Sequence, residues 1–357
     1  MSTANYIIAS AAPEQADTWD QDARQLDGTI FHTSAWRRIL DPDGSKSDYF
    51  RIIHRDTGNV TLMAGFMTER YHRCLRLSPL PGADNQSILM AGNSPGATLL
   101  RHLVSLGIHT AHSRQAAWLR LVFKHPKPPD QICNRYLTAF PATVGTMVLN
   151  LLSCPPGHLW NHVFNKQGCQ QKFISRFEKD GFSIRQATSP ADRAMFYQYY
   201  AQNLKADGGE PFPQDHFDRL QAELPAGAVR ITLLERDAEI AGGLLMLLDH
   251  HRNTAYLRYL ALNRSVPNHY HPPCALYWEA IEYAARKGFA SVDFGLTANN
   301  RNDPEFRLKK RFGCEFRPQP AVIIPATSAA IIPGTQHLLE PSNSHYGLKP
   351  CGKQAEA

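Results

Sequence analysis

The sequence predicts a mixed α/β protein in which one folding unit occurs twice, each copy with a mainly antiparallel sheet and flanking helices. Three observations lead to this fold class. The chain has 357 residues, enough for two domains that each bury a core. Strand-like and helix-like hydrophobic patterns follow one another along it. Most informative, several landmarks of the first half recur in the second half at nearly one offset.

The composition is that of a folded globular protein, with 43% hydrophobic and 20% charged residues. The N-terminal stretch lacks a basic start and a long apolar core, so we expect no signal peptide. No apolar run reaches the roughly 18 residues that a membrane helix requires. Seven cysteines without a C-x-x-C pair disfavour a zinc finger and a disulfide framework, and favour a reduced, cytoplasmic protein. The net charge of +6 permits an anionic substrate but indicates none in particular.

The repeat is carried by four pairs of segments that lie about 177 to 181 residues apart. The pairs are a first strand (6–9 and 182–185), an aromatic segment (31–36 and 212–217), a hairpin turn (56–59 and 236–238) and a helix start (95–100 and 272–277). A helical stretch follows the first strand of each copy. Each unit is therefore predicted to run strand, helix, helical segment, hairpin, strand, helix, strand. The alternative is that two unrelated α/β domains of similar size align as loosely as this.

The domain boundary is predicted at Ser153–Gly157, because the two prolines and the glycine of this segment cannot continue a helix or a central strand. We therefore expect domains at 1–152 and 158–320. Beyond residue 320 the chain is rich in Pro, Ala, Ser and Gly and has little periodicity. Residues 321–357 are accordingly predicted to form a flexible tail.

The most informative stretch is 273–313. Apolar residues at helical spacing predict a helix up to Arg286, and Gly288 ends it. Phe289–Phe294 alternates as a strand does, and Gly295 is expected to stop it. A polar loop then leads to a basic segment, 307–311.

At these residues the sequence resembles the FemAB-like and BioF2-type branch of the GNAT acyltransferase superfamily. The matching motifs are Asp293-Phe294-Gly295 at the end of a strand and Lys309-x-x-Phe312-Gly313, with Leu308 in place of the first phenylalanine of the family motif. The likeness extends weakly over about 310 residues and implies two GNAT folds in tandem. The second would be catalytic, and the first would shape the acceptor site.

The resemblance implies a direct attack of an amine on a thioester or ester, a reaction that needs positioning and oxyanion stabilisation but no covalent nucleophile. No G-x-S-x-G elbow, Walker loop or G-x-G-x-x-G motif points to another enzyme class. CoA-using members cradle the pyrophosphate in a glycine-containing loop before a helix. The corresponding loop, 264–275, has no glycine, as in the Fem-type enzymes that use aminoacyl-tRNA.

We therefore expect an aminoacyl-tRNA donor, no separate cofactor, and an acceptor amine on a bacterial cell-envelope or small-metabolite precursor; DNA is not an expected partner. An acyl-CoA-dependent N-acetyltransferase is the first alternative. The second is a non-catalytic binding protein that has lost donor binding, because Gln170 and Gln171 stand where similar proteins carry an arginine.

The resemblance assigns the lysine of the second motif, Lys309, to stabilising charge on the reacting ester. Asp293 is a second catalytic candidate, although a structural residue at a strand end has the same pattern. His271 is a candidate general base because imidazole titrates near neutrality, although loop histidines are commonly without a role. His269 and His271 have no cysteine or carboxylate at ligand spacing, so no metal site is expected.

Donor and acceptor contacts complete the expectations. The predicted donor-binding residues are Arg264, Cys274, Ala275, Tyr256, Arg258 and Lys310. Of these, Tyr256 and Arg258 share one face of a predicted strand, where a core role suits Tyr256 equally well. The predicted acceptor-binding residues are Arg73, Arg76 and Trp36, of which Trp36 is also a candidate for the core.

Overall fold

A computed structural model describes residues 5–10, 16–71, 74–81, 88–92, 97–123, 137–139, 144–155, 157–164 and 169–326. The first part of the chain holds β1 (Tyr6–Ser10), α1 (Ala16–Gln25), α2 (Ser34–Leu40), β2 (Ser47–His54), β3 (Val60–Tyr71), β4 (Cys74–Pro79), β5 (Ile88–Met90), α3 (Ala97–Ser113), β6 (Trp118–Val122) and β7 (Leu137–Ala139).

The remainder holds β8 (Val144–Asn150), α4 (Leu159–Phe164), α5 (Cys169–Arg176), β9 (Phe182–Gln186), α6 (Pro190–Ala206), α7 (Gln214–Glu223), β10 (Val229–Arg236), β11 (Glu239–Asp249), β12 (Thr254–Leu262), α8 (Pro272–Arg286), β13 (Ser291–Ala298), α9 (Pro304–Arg311), β14 (Glu315–Pro318) and β15 (Ala321–Pro325). The chain divides into two compact units, Met1–Gly145 with the segment from Pro318, and Thr146–Arg317.

The first unit is built on a sheet with the strand order β1-β2-β3-β4-β6-β15-β7, and β5 pairs with β3. Its strands pair antiparallel except β4 and β6, which are parallel with Arg76 opposite Trp118. Apolar residues of α3, such as Leu103, pack with sheet residues such as Phe66 and Ile324 in one buried cluster. Burial of this apolar surface is the main stabilising term for the unit.

The second unit is built on a sheet with the strand order β14-β8-β13-β12-β11-β10-β9. Strands β9 to β12 pair antiparallel, and β12 pairs with β13 in parallel. Helix α8 connects these two parallel strands, as a crossover connection requires. Its apolar face, with Leu276, Ile281 and Ala284, is buried with Leu244 and Met246 of β11.

The predicted fold class and the duplication are confirmed. Each unit runs strand, two helices, antiparallel hairpin, strand, helix and a parallel strand: β1 to β6 in the first, with the short β5 added, and β9 to β13 in the second. The predicted helix and strand at 273–294 are also present, as α8 and β13. However, the prediction that Gly295 stops the strand is wrong: β13 continues to Ala298, and Gly295 lies within it at φ +76°, a conformation that glycine adopts at no steric cost.

The predicted domain limits need two corrections. Strand β8 lies before the predicted boundary, yet it joins the second sheet between β13 and β14. Residues 321–325, predicted as the start of a flexible tail, form β15, which is buried between β6 and β7 of the first sheet. The apolar run Ala321–Ile324 accounts for this, because a fully buried strand needs no polar alternation. The rest of the predicted tail, from residue 327, lies outside the described residues.

Candidate active site

A cavity of about 380 Å³ opens in the second unit where β12 and β13 diverge. The two strands are paired from Thr254 with Ser291 to Tyr256 with Asp293. Beyond that point, residues 257–260 of β12 and 294–296 of β13 line opposite parts of the cavity. A volume of this size is typical of small-molecule sites in proteins.

Two local irregularities shape this opening. The pairing of β12 with β11 shifts between Leu257 and Tyr259, so Arg258 is the extra residue of a β-bulge. On β13, the left-handed backbone at Gly295 is held by an N–H donated to the Asp293 carboxylate at 2.8 Å. A bulge changes the direction in which nearby side chains point, and Arg258, at this bulge, lines the cavity.

The cavity is lined by a mixture of charged, aromatic and apolar side chains. The charged and polar ones are Tyr200, Asn203, Asp207, Arg258, Tyr259, Glu305 and Lys309. Burial raises the pKa of Tyr200, whose hydroxyl accepts the backbone N–H of Phe212. The Tyr259 hydroxyl lies 3.2 Å from Nε2 of His216, a buried histidine stacked on Phe212.

Lys309 contributes a buried cation to the cavity wall. Lys309 is only 2% exposed. Its Nζ donates to the Leu296 carbonyl at 3.1 Å and to Thr297 Oγ1 at 2.8 Å. The Nζ also lies 2.6 Å from Oε1 of Glu305, one turn earlier on α9. Two of the three donors of the ammonium are therefore used in hydrogen bonds, and the contact with Glu305 is an ion pair.

Helix α9 positions both charged residues. It begins at Pro304, a residue whose fixed φ suits the first helical position. Asp303 caps the helix, because its Oδ1 accepts the backbone N–H groups of Glu305 and Phe306 at 2.7 and 3.2 Å. Burial of Phe306 and Lys309 then places one face of the helix against β13. Glu305 was not predicted, although the spacing of four residues from Lys309 was available as a signal.

The start of α8 is not the anion site that was expected at Cys274 and Ala275. Pro272 and Pro273 occupy the first two helical positions and have no N–H to donate. The next N–H, of Cys274, donates to the His271 carbonyl at 2.9 Å, and Cys274 itself is 2% exposed. Helix starts bind anions through free N–H groups. The donor-binding assignment of Cys274 and Ala275 is therefore wrong for this conformation.

The structure brings Lys309 and Arg258 together on one cavity but not the other predicted residues of the second unit. Asp293 is buried, and its carboxylate holds the Gly295 turn. Tyr256 is buried in the sheet, which raises the pKa of its hydroxyl. His271 lies against Phe173, with the ring centroids 4.0 Å apart and the rings tilted by 46°. Burial, then His269 and Arg311, lower the His271 pKa. None of these three lines the cavity.

Arg264 and Lys310 lie outside this cavity as well. Arg264 makes an ion pair of 3.0 Å with Asp207 and donates to the Asn203 carbonyl. It therefore holds two residues that line the cavity without lining it itself. Lys310 donates to the Cys314 carbonyl after α9 and lines a separate basic cavity with Arg307. Lysine at a helix C-terminus commonly satisfies the last carbonyls.

The acceptor residues predicted in the first unit have structural roles where they are described. Trp36 is 1% exposed, packs on Phe31 and donates from its indole to the Pro81 carbonyl at 2.8 Å. Arg76 is fully buried, and its Nε and Nη2 both donate to Oε1 of Glu69. Both side chains are therefore unavailable to a ligand, and Trp36 belongs to the core. Arg73 lies outside the described residues.

The described part of the chain has neither a metal-binding cluster nor a membrane-spanning helix. No group of three or more His, Cys, Asp or Glu side chains is arranged to hold a metal ion there. Nor does any helix in those segments combine the length and apolar character that crossing a membrane demands.

Comparison with known families matches residues 171–305 to a model described as an acetyltransferase (GNAT) domain. These residues contain most of the cavity lining and Glu305 but end before Lys309. Comparison with curated protein sequences finds no match.

Solved structures with the same fold match a larger part of the chain than the family model does. FemX aligns over 88% of this chain and 96% of its own, with 12% identity and a TM-score of 0.62. A tandem GNAT protein from the clavulanic acid biosynthesis pathway aligns over 91% of this chain and all of its own, with 13% identity and a TM-score of 0.61. L-PGS from Bacillus licheniformis aligns over 86% and 90%, with 9% identity and a TM-score of 0.52.

At these identities the structural matches establish the fold alone, and the matched domain establishes the enzyme class. The fold and the enzyme class agree with the geometry described above: the two divergent strands, the cavity between them and the duplicated units. Residues 171–305 thus form an acyltransferase domain of the GNAT type, and the chain has the fold of two GNAT units in tandem.

Proposed function

We propose that the chain transfers an aminoacyl group from aminoacyl-tRNA to an amine, forming an amide. The start of α8 carries this proposal. Pro272 and Pro273 leave it without the free N–H groups on which a CoA pyrophosphate would rest, and the preceding loop has no glycine. Fem-type enzymes, which the Lys309 motif resembles, take their acyl group from tRNA. Such a donor places the reaction in the cytoplasm.

The reacting ester would enter the cavity between β12 and β13. The amine nitrogen attacks the ester carbonyl, and negative charge develops on the carbonyl oxygen. Lys309 supplies a fixed cation at the cavity wall, held by Leu296 and Thr297 of β13. A charge that is already held in position stabilises the transition state without the reorganisation that solvent would need.

The acceptor is proposed as a small polar amine of cell-envelope or metabolite origin. The cavity supports an amine acceptor, because Asp207 and Glu305 present two carboxylates along its lining. Each is paired with a cation, Asp207 with Arg264 and Glu305 with Lys309, so they offer an amine polar contacts rather than net negative charge.

An acyl-CoA-dependent N-acetyltransferase is the second candidate. It is favoured by the description of the matched domain as an acetyltransferase and by the tandem GNAT relative, whose description mentions AcCoA. In this case the CoA must be held somewhere other than the start of α8.

The two candidates are separated by a direct comparison of donors. Purified full-length protein is incubated with radiolabelled aminoacyl-tRNA pools or with a panel of acyl-CoA thioesters, each with a mixture of primary amines. We expect amide products from a charged tRNA and none above background from the thioesters. Amide formation from acetyl-CoA without any from charged tRNA would reverse the choice of donor.

A further inference from the structure

Lys309 presents a difficulty for the proposed reaction, and Glu305 resolves it. The Lys309 ammonium donates hydrogen bonds to Leu296 O and Thr297 Oγ1, and it is ion-paired with Glu305 Oε1 at 2.6 Å. A developing oxyanion therefore competes with these three oxygens for the ammonium. We propose that the oxyanion replaces Glu305, and that the released Glu305 carboxylate takes the proton of the attacking amine. This inference rests on the proposed acyl transfer to an amine, with either donor.

Glu305 is the partner that can leave. Leu296 and Thr297 belong to β13, and Thr297 is fully buried, so releasing either acceptor would remove the lysine donor from an oxygen inside the sheet. The Glu305 side chain is 50% exposed, and water can solvate it once it turns away from Lys309. Its backbone stays in place, because the Asp303 cap holds the Glu305 N–H.

The second carboxylate of the cavity is placed differently. Asp207 is paired at 3.0 Å with Arg264, and both side chains are about half exposed. Its cation lies outside the cavity lining. Within the described residues that line the cavity, Glu305 is thus the carboxylate whose ion-pair partner is the buried lysine.

The exchange gives a balanced sequence of steps. The amine lone pair forms the C–N bond, and the carbonyl π electrons move to oxygen. This oxygen takes the place of the Glu305 carboxylate beside Lys309 and accepts an N–H from the ammonium. Glu305 removes one proton from the now cationic nitrogen. When the tetrahedral intermediate collapses, the C–O bond to the ribose breaks, and the leaving oxygen takes the proton from Glu305. The products are the amide and the free hydroxyl, and the Lys309–Glu305 pair re-forms; with a thioester, the thiol leaves in the same way.

A pH-insensitive anion tests the exchange without any need for turnover. Methanesulfonate carries one negative charge on three oxygens and fits the cavity as a small oxyanion. In the unaltered protein it must displace the Glu305 carboxylate. In Glu305→Gln the competing charge is gone, so we expect binding at least about tenfold tighter by calorimetry. Glu315→Gln, an exposed glutamate of the separate basic cavity, is the matched control and should leave the affinity unchanged.

Two results would overturn the exchange: equal affinities of the unaltered protein and Glu305→Gln, or no detectable binding to Glu305→Gln at tens of millimolar. Lys309→Met should abolish binding, with folding checked by circular dichroism. Because Glu305 is half exposed, Glu305→Gln is expected to fold, and the comparison stands even if Lys309→Met does not.

Proton transfer is tested with the donor that supports turnover. Glu305→Ala should lower kcat by about a hundredfold, and added formate should restore part of the rate, because it supplies the missing carboxylate. A fully active Glu305→Ala, or a loss that formate does not relieve, would remove Glu305 from proton transfer. A change of donor from tRNA to CoA would alter the proposed function but leave both Glu305 tests decisive.

Discussion

Replacing Lys309 by methionine separates the structural role of this residue from its chemical one. Methionine keeps most of the apolar stem but removes the ammonium. Two buried acceptors, Leu296 O and Thr297 Oγ1, then lose their donor. Each unpaired buried group costs about 1–3 kcal/mol, and water from the adjacent cavity relieves part of it. Glu305 adds little, because it is half exposed. We expect the free energy of unfolding to fall by about 2–4 kcal/mol.

The catalytic effect should exceed what stability explains. Removal of a donor to a developing oxyanion lowers kcat by about a hundredfold or more, with a smaller change in donor affinity. Urea unfolding and transfer assays on the same preparation measure both quantities. The control is Lys310→Met, which removes one contact to the Cys314 carbonyl at an exposed position and should change either quantity only slightly. Lys309→Arg keeps the charge and should recover activity in part. Equal and small effects on kcat at positions 309 and 310, in folded proteins, would refute the role of Lys309.

Three further outcomes follow from the structure. A fragment 158–357 lacks β8, an interior strand of the second sheet, and should be insoluble or unfolded by circular dichroism. The longer fragment 144–357 keeps this strand and should contain a folded second unit. A cooperative unfolding transition in the shorter fragment would contradict this. Asp192→Asn weakens a helix cap and the ion pair to Arg185 and should cost about 1–2 kcal/mol at pH 7. Since Arg185 and backbone N–H groups lower the pKa of Asp192, its stabilisation exists above the unfolded value near 4 and is lost as the pH falls below it. The difference in urea midpoint between the Asp192→Asn variant and the unaltered protein should therefore shrink at low pH. Gly295→Ala places a side chain at φ +76° and should destabilise by about 1–2 kcal/mol in the same assay.

The sequence by itself determined the local elements and the duplication. Apolar spacing over 273–286 is sufficient for α8, because a helix buries one face whatever it packs against. The repeat offset of about 177 residues determined that both halves share one order of elements. The Asp293 and Lys309 motifs gave the resemblance to GNAT acyltransferases, and Lys309 does stand on the wall of the cavity. The two prolines at 272 and 273 were equally visible, and the absence of their N–H groups follows from chemistry alone.

Only the tertiary structure decided which residues meet. Whether Lys309 is solvated or buried depends on which face of α9 packs on β13, and that choice depends on Phe306, Phe312 and the sheet together. The same applies to Arg258, whose side chain direction is set by a bulge in strand pairing, a feature without a sequence signature of its own. The places of β8 and β15 in the two sheets are set by long-range pairing. Such pairing joins segments far apart in sequence, where local propensity carries no information.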